Sequence, residues 1–519
     1  MTESMERARV SRRSFLGGVG ITAGGLMVAS GPMLWQQAAK ADTVTAEQVH
    51  LTFGEDPARE VVVSWVTPAS VSNPTVVLGT PSGGFGRRIK AGTRTYTDAN
   101  NAIGTIAHHA QIEGLHPASD YVYKVVSDGE TQLTGAFRTA PEGRMPFRFT
   151  SVGDFGCGNT AFAKALVNAI ATAAQVEQFD PVVHLVNGDL SYANSNQTVQ
   201  PQVWAEYFNN TQISAANRPW MPTLGNHENE PGNGPQGYLS YQTRFALPQN
   251  HSSHFEGNWY KFQIGSVLFI ALDNNDVCYQ NDTGTFLSTG AAQVLTSYSD
   301  GAQEKWLEQT LKEASVDTSV DWIIAYMHQP AMSTSNADGS DLGIRQSWMP
   351  LFYKYGVDFV LAGHDHDYER SYLVHGTDSG TALRPHVVST DLDNIDTDKG
   401  LIHMVIGTAG TKGHDDDYAT DTSGDPVEII NTSATETETE AAPWSAVTDP
   451  DTAYPWGIGV FDVHPGRFPG DKTTMTFTYY HTPAATASNP YPAPVEFDSF
   501  TATRTRSDGF GFRQRSAAS

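Results

Sequence analysis

The pattern of hydrophobic positions changes near residue 145. Before that point, apolar residues form short β-branched or aromatic runs, such as residues 61–66 and 121–126, separated by clusters of turn-forming residues. Helical spacing of apolar residues is weak in this part of the chain. Short strands separated by turn signals are typical of a β-sandwich. We therefore predict an all-β N-terminal domain over residues 43–140.

After residue 145, apolar runs alternate with segments in which apolar residues recur at helical spacing. The runs lie at residues 147–152, 182–186, 267–272, 322–327 and 357–361. Strands that alternate with helices predict a layered α/β domain, which we place at residues 145–503. Polar residues follow these strands closely, and α/β folds bind ligands at such strand ends.

Two segments depart from this alternation. Residues 412–455 are acidic, with Thr and Glu alternating over 435–440, and we expect a solvated loop there; a calcium site is the less favoured alternative. Residues 504–519 carry four arginines, and we predict a frayed basic C-terminal tail.

The N-terminus has the pattern of an export signal. Arg12 and Arg13 stand in a Ser-Arg-Arg-Ser-Phe-Leu sequence, a Gly-rich apolar run follows, and Ala39-Lys40-Ala41 offers a cleavage site. We predict a twin-arginine signal peptide over residues 1–41, with a chance Arg pair before a weak membrane anchor as the alternative. The expected partner is the twin-arginine export machinery, and the expected location is periplasmic, cell-envelope or extracellular. Similar leaders carry folded proteins, often with a metal installed.

Composition narrows the function classes. The chain has 32 Lys and Arg against 57 Asp and Glu, a net charge of −25, which argues against a nucleic-acid partner. No stretch after the leader is long and apolar enough for a transmembrane anchor. Two cysteines cannot form a disulfide scaffold; Cys157 and Cys278 either form one bridge or remain free thiols.

Five short motifs follow predicted strands in order along the chain. They are Gly153-Asp154-Phe155-Gly156, Gly188-Asp189-Leu190-Ser191-Tyr192, Gly225-Asn226-His227-Glu228, Tyr326-Met327-His328 and Gly363-His364-Asp365-His366. Together they offer carboxylate, amide, imidazole and phenol groups, which are the ligand types for two transition metals. Two cations about 3.5–4 Å apart can clamp a phosphoryl group, and Asp189 is suited to bridge them. One such motif alone would indicate only a turn, but five in order predict a site.

At these motifs the chain resembles the metallophosphoesterase superfamily and, within it, the purple acid phosphatases. Segments 48–52, 64–65 and 108–109 resemble the family's fibronectin type III-like N-terminal domain, and segment 363–370 resembles its last catalytic motif. Most metallophosphoesterases have a histidine where Gly156 stands, whereas purple acid phosphatases use a tyrosine in the second motif, here Tyr192. The resemblance implies an α/β fold with a four-layer β-sandwich flanked by helices, plus the N-terminal all-β sandwich.

The same resemblance implies a ligand set for each metal. The ferric ion would be held by Asp154, Asp189, Tyr192 and His366. A divalent partner, iron, zinc or manganese, would be held by Asp189, Asn226, His328 and His364. His227 would lie beside the phosphate as a donor.

One departure concerns the proton donor to the leaving group. Plant members carry two further histidines after the His328 segment, and residues 329–348 contain none. That segment instead offers Asn336, Asp338, Asp341 and Arg345. His227 is the first candidate for the donor, and Arg345 fits a structural or surface role equally well.

The function expected from this resemblance is a secreted acid phosphatase. It would hydrolyse small phosphate monoesters with a metal-bound hydroxide, which a trivalent ion makes available at acidic pH. A phosphodiesterase or nucleotidase of the same superfamily is the alternative. A non-catalytic phosphate-binding protein would be expected to lack at least one metal ligand, and none is lacking here. Another phosphodiesterase family with twin-arginine leaders lacks the Gly225–Glu228 motif in this form, so the presence of this motif argues against that family.

Overall fold

The structure is a computed structural model of the 519-residue chain. It describes residues 45–156, 166–252, 254–280, 295–411, 418–449, 456–486 and 488–509. The predicted leader, Cys157 and the acidic run 414–417 lie outside these ranges, so the structure does not describe the pairing of Cys157 with the buried Cys278. Among the described residues, no helix has both the length and the hydrophobicity needed to cross a membrane.

The N-terminal part is a sandwich of two antiparallel four-stranded sheets, ordered β1-β2-β6-β5 and β4-β3-β7-β8. Its strands are β1 (Glu47–Phe53), β2 (Val61–Thr67), β3 (Thr75–Thr80), β4 (Gly84–Lys90), β5 (Gly92–Thr97), β6 (Gly104–Ile112), β7 (Asp120–Ser127) and β8 (Glu130–Arg138). Trp65 of one sheet and Tyr123 and Phe137 of the other belong to one buried hydrophobic cluster. This confirms the predicted all-β N-terminal architecture.

The remainder of the chain alternates strands and helices before it ends in long strands. The elements are β9 (Phe147–Val152), α1 (Leu166–Phe179), β10 (Val183–Val186), α2 (Gln200–Ala215), β11 (Trp220–Pro222), α3 (Leu239–Arg244), β12 (Tyr260–Ile264), β13 (Val267–Ala271), α4 (Ala302–Ala314), β14 (Trp322–Tyr326), β15 (Ser340–Asp341), α5 (Leu342–Ser347), α6 (Met349–Tyr355), β16 (Phe359–Ala362), β17 (Tyr368–Ser371), β18 (Leu373–Thr377), β19 (Pro385–Ser389), β20 (Asn394–Asp396), β21 (Ile402–Ile406), β22 (Val427–Asn431), β23 (Thr437–Ala441), β24 (Ser445–Thr448), β25 (Gly457–His464), β26 (Lys472–His481) and β27 (Val495–Thr505).

Two seven-stranded mixed sheets form the centre of this part. Their orders are β11-β10-β9-β25-β26-β27-β20 and β12-β13-β14-β16-β21-β17-β24. The sheets pack face to face through aromatic rings, with Phe149 edge-on to Phe269 at 5.1 Å between centroids. On the other face of the second sheet, Leu268 and Ile270 pack with Leu307 of α4. Because both faces of β13 are covered, its sequence is a continuous apolar run. The layered α/β prediction is confirmed.

Two sequence expectations are wrong in detail. Residues 427–448 are not a loop, because β22 and β23 form an antiparallel hairpin and β24 joins the second sheet. The predicted tail does not begin at residue 504, because β27 runs to Thr505 and the Arg504 guanidinium is buried against Asp358. Pairing of β27 with β26 explains this burial, and residues 510–519 lie outside the described ranges.

A turn of the N-terminal sandwich, residues 98–101, contacts the α/β part close to two of the motifs. Asn233 donates from Nδ2 to Asp98 Oδ2 at 2.9 Å. Asn100 donates from Nδ2 to Gln200 Oε1 at 3.0 Å. Asn233 follows the third motif and Gln200 follows the second. The turn therefore connects the two chain segments that come after these motifs.

Candidate metal centre

The five motifs meet at one edge of the two central sheets. Strands β9, β10, β11, β14 and β16 each lead into a motif, and they supply Asp154, Asp189, Asn226, His328 and His364 respectively. Strands β9, β10 and β11 are mutually parallel in one sheet, and β14 and β16 are parallel in the other. Parallel strands end at the same edge, so side chains that are far apart in sequence converge there.

The backbone at this edge is held in an unusual conformation. Four of the predicted ligands have left-handed φ angles: Asp154 at 65°, Asp189 at 47°, Tyr192 at 60° and His364 at 73°. Non-glycine residues seldom adopt this region, and such strain concentrates at functional sites. The strand-to-loop turns therefore aim these side chains into the centre at a conformational cost.

Two glycines permit the close approach of the motif loops. A Cβ on Gly188, whose φ is +78°, would lie 2.6 Å from His328 Nδ1. A Cβ on Gly225 would overlap Asp189 Oδ1. Any larger residue at either position would push the donor groups apart.

The first donor cluster joins Asp189, His328 and His364. One ligand atom from each lies within 4.8 Å of the others, and all three residues are buried. His328 Nε2 is 3.2 Å from Asp189 Oδ2, 2.9 Å from Asn226 Oδ1 and 3.1 Å from His364 Nδ1. The four residues predicted for the divalent metal are thus together.

Hydrogen bonds of the two outer imidazole nitrogens determine which nitrogen of each ring is left to bind a metal. His328 Nδ1 is 2.8 Å from the Asn187 carbonyl oxygen, so it carries the proton and donates. His364 Nε2 is 2.9 Å from Gln280 Oε1 and donates to it in the same way. The inner nitrogens are then free to bind a metal, as is usual for histidine ligands with such outer partners.

The electrostatics of this cluster also fit a cation. Burial lowers the pKa of His328, but the charge and hydrogen bond of Asp189, the charge of Asp154 and the hydrogen bond to the Asn187 carbonyl together outweigh burial and raise that pKa to about 10. Positive charge is therefore stabilised between these residues. A metal ion entering there would displace the proton.

The second donor cluster joins Tyr192, Asp154 and His366. The Tyr192 hydroxyl oxygen is 3.0 Å from Asp154 Oδ1 and 2.9 Å from His366 Nε2. Burial, followed by the charges of Asp154 and Asp189, raises the pKa of the Tyr192 phenol well above its ordinary value. A phenolate there requires a strong cation, so this set suits a highly charged metal. The residues of both clusters fit a metal pair.

His227 lies over the Tyr192 ring, with 4.2 Å between centroids. Its Nδ1 is 2.7 Å from Asn194 Oδ1, and its Nε2 is 3.9 Å from Asp189 Oδ2. Burial lowers the pKa of His227, although Asp189 opposes that shift. The ring is thus anchored at one nitrogen and presents the other towards the centre.

Residue Arg345, for which the sequence left two roles open, is structural. Its guanidinium is fully buried and paired with Glu428, and its Nε donates to the Ala331 carbonyl oxygen at 2.7 Å. Asp338, another polar residue of segment 329–348, lies near the centre, with Oδ1 3.8 Å from His364 Nε2.

The sequence analysis predicted no role for Glu228, although this residue belongs to the third motif. The buried Glu228 carboxylate accepts backbone N–H groups from Asp189 at 2.9 Å, Leu190 at 2.9 Å and Gly225 at 2.8 Å. It therefore ties the second motif loop to the third. The sequence signal for this role was an acidic residue that lies within a metal-binding motif but has no predicted ligand role of its own.

Replacing Glu228 with Gln should weaken metal binding by the two donor clusters. An amide has one accepting oxygen, so it cannot satisfy three N–H donors. Supporting residues of this kind typically change metal affinity about 10–100-fold, and we expect a loss in that range. Metal retained after dialysis against a chelator measures it. The exposed Glu304→Gln variant is the control, and retention equal to wild type in E228Q would contradict the role.

Family models and curated relatives match both parts of the chain. Residues 46–139 match the family model "Purple acid Phosphatase, N-terminal domain", and residues 147–368 match "Calcineurin-like phosphoesterase". An uncharacterized protein of Mycobacterium tuberculosis is 40% identical over 522 residues, which is 95% of this chain and 96% of the relative. A probable purple acid phosphatase of Arabidopsis thaliana is 30% identical over 341 residues, 63% of this chain and 70% of the relative.

Solved structures share the fold. A purple acid phosphatase from yellow lupin (Lupinus luteus) seeds has a TM-score of 0.65 at 21% identity, covering 92% of this chain and 77% of its own. A structure named PhoD has a TM-score of 0.55 at 15% identity, covering 93% and 94%. With both domain models and a 30% identical relative in agreement, the chain belongs to the purple acid phosphatase family of calcineurin-like phosphoesterases.

Proposed function

We propose that this phosphoesterase is a secreted acid phosphatase that hydrolyses small phosphate monoesters at a dinuclear metal centre. The observation that carries the proposal is the convergence of two donor clusters, which are linked where the His364 backbone N–H donates to Asp154 Oδ2 at 3.0 Å. Relatives support the monoester class by their names, among them a phosphoenolpyruvate phosphatase of Allium cepa, 28% identical over 341 residues.

Each side chain has a role in this proposal. Asp154, Tyr192 and His366 hold a ferric ion, Asn226, His328 and His364 hold divalent iron, zinc or manganese, and Asp189 bridges both. When bound, such a pair supplies a nucleophile from water and neutralises the phosphoryl oxygens. A Fe(3+)-Zn(2+) purple acid phosphatase of Arabidopsis thaliana, 27% identical over 374 residues, supports this metal pairing.

His227 is the proposed donor to the phosphate. Asn194 Oδ1 accepts from Nδ1, and Nε2 faces Asp189. Nε2 can therefore donate to a phosphate or leaving-group oxygen when the imidazole carries both protons, the form that acidic pH favours. Donation there offsets charge that develops as the ester bond breaks.

The substrate class is tested with one pair of substrates. Metal-loaded protein is assayed at acidic pH on p-nitrophenyl phosphate and on bis-p-nitrophenyl phosphate. We expect the higher kcat/KM on the monoester. A clear preference for the diester would favour a phosphodiesterase, the class that remains the alternative.

Tyr192→Phe tests the ferric site. A phenolate bound to ferric iron produces a visible charge-transfer band, so the iron-loaded wild type should be pink or purple. The variant removes the phenol oxygen and keeps the buried ring, so the fold should survive while the band disappears and ferric iron is held less tightly. A visible spectrum with metal analysis measures both. Colour retained in the variant would refute the ligand role of Tyr192.

Export is tested at the predicted leader. The pattern around Arg12 and Arg13 supports the twin-arginine route. Changing both to Lys should leave the uncleaved precursor in the cytoplasm, as detected by fractionation and immunoblotting. The single Arg7→Lys variant, outside the Arg pair, serves as the control. Normal secretion of the double variant would rule out this route.

A further inference from the structure

Gln280 brings a carboxamide to the centre from outside the five motifs. Its Oε1 is 2.9 Å from His364 Nε2, on the side of that ring away from His328. Gln280 lies beyond β13 in a segment that sequence analysis assigned no function. The residue therefore reaches a predicted ligand without belonging to any metal-binding motif.

The backbone of Gln280 is held by the chain that follows His328. Asp341 Oδ2 accepts the Gln280 N–H at 3.1 Å, and Asp341 Oδ1 accepts the Tyr279 N–H at 3.2 Å. Asp341 is fully buried and also accepts the Gly343 N–H at 2.8 Å. These hydrogen bonds to a buried carboxylate fix the backbone position of Gln280. Functional groups need such fixed positions.

The two ends of the carboxamide are in different situations. Oε1 is used, because His364 Nε2 carries the proton when Nδ1 faces the metal cluster. Nε2 is buried and has no hydrogen-bond partner within the ranges that the structure describes. Buried amide donors are rarely left unpaired in folded proteins, because desolvation without a partner is unfavourable.

We propose that Gln280 Nε2 binds an oxygen of the phosphate group of the substrate beside His364. This inference rests on the proposed phosphatase function and adds a substrate contact to it. A phosphate oxygen is a strong acceptor, and the neutral amide donates to it without competing for the metals. The same carboxamide holds His364 in its metal-binding tautomer through Oε1, so it couples metal placement to phosphate binding.

The test compares Gln280→Glu with wild type in the metal-loaded enzyme. The carboxylate keeps an acceptor for His364 Nε2 but replaces the donor with a negative oxygen that repels phosphate. We expect the dissociation constant of inorganic phosphate, measured by calorimetry, and KM for p-nitrophenyl phosphate to rise roughly tenfold or more. Metal content by mass spectrometry should stay at the wild-type level. Gln346→Glu, an exposed neighbour whose Oε1 accepts from the Tyr279 hydroxyl, is the control.

Gln280→Met removes both ends of the carboxamide and serves as the second variant. We expect weaker phosphate binding again, now with faster loss of the divalent metal to a chelator. Unchanged phosphate affinity and KM in Q280E at full metal content would overturn the proposal. A fall in phosphate affinity that merely parallels metal loss in Q280E would limit Gln280 to holding His364 and would also overturn it. Metal-loaded wild type that hydrolyses no phosphate ester would instead refute the proposed function.

Discussion

Asp189→Asn is expected to abolish binding of the proposed metal pair and to lower kcat/KM at least about 1,000-fold, which corresponds to roughly 4 kcal/mol of transition-state stabilisation. Asp189 Oδ2 lies 3.2 Å from His328 Nε2, and its charge also acts on Tyr192 in the other cluster. An amide in its place has no charge to hold two cations together. Metal analysis and steady-state kinetics on the same preparation measure both losses.

Asp300→Asn is a matched control for this substitution. Asp300 is exposed and has a φ of 51°, close to the 47° of Asp189, so both variants place Asn in left-handed backbone. The control separates the loss of the bridging charge from any effect of the backbone position. D189N protein with two metals and near-normal turnover would contradict the bridging role.

Among the variants described, Arg345→Met should cause the largest decrease in the free energy of unfolding. It leaves the Glu428 carboxylate buried without its cation, and breaking a buried pair in this way costs about 3–5 kcal/mol. Unfolding monitored by circular dichroism should show a lower urea midpoint and a lower Tm for the variant. Arg345→Met combined with Glu428→Leu removes both charges and should recover much of the loss.

Arg59→Met is the control for that experiment. Arg59 pairs with Glu142 at 2.9 Å, but both side chains are in contact with solvent, 42% and 63% exposed, so the loss should stay below about 1 kcal/mol. Equal destabilisation by R59M and R345M would show that burial of the Arg345 pair has no special cost.

Much of the fold could be predicted from local patterns. Continuous apolar runs such as residues 267–271 are buried on both faces, and alternation with helical segments indicated the layered architecture. The convergence of the five motifs followed from one rule, that parallel strands end at a common edge.

The parts that could not be predicted depend on long-range or backbone geometry. Nothing in the sequence marks Asp154 or His364 as left-handed, because those angles follow from the loops around them. Asn194 and Gln280 are ordinary polar residues until the fold brings them to His227 and His364. Their contacts join segments that no local motif connects.

The Thr and Glu alternation at residues 435–440 shows how a composition argument can mislead. A period of two is the pattern of a strand, and in β23 Glu438 and Glu440 are half-buried while Thr437 and Thr439 are exposed. Charge content favoured a loop, but the period contained the structural information. In the same way Arg504 counted as part of a basic tail until strand pairing buried it.

The position of β9 has a consequence for the order of events during synthesis. This strand ends just before Asp154, yet one of its two neighbours, β25, comes from the last part of the chain. While the ribosome is still translating the segments between them, β9 has an open edge, and closing so long a loop is slow. Asp154 is therefore fixed only after translation is nearly complete. Completion of the candidate metal centre is then expected to be a late step, so nascent or truncated chains should bind metal less tightly than the full chain.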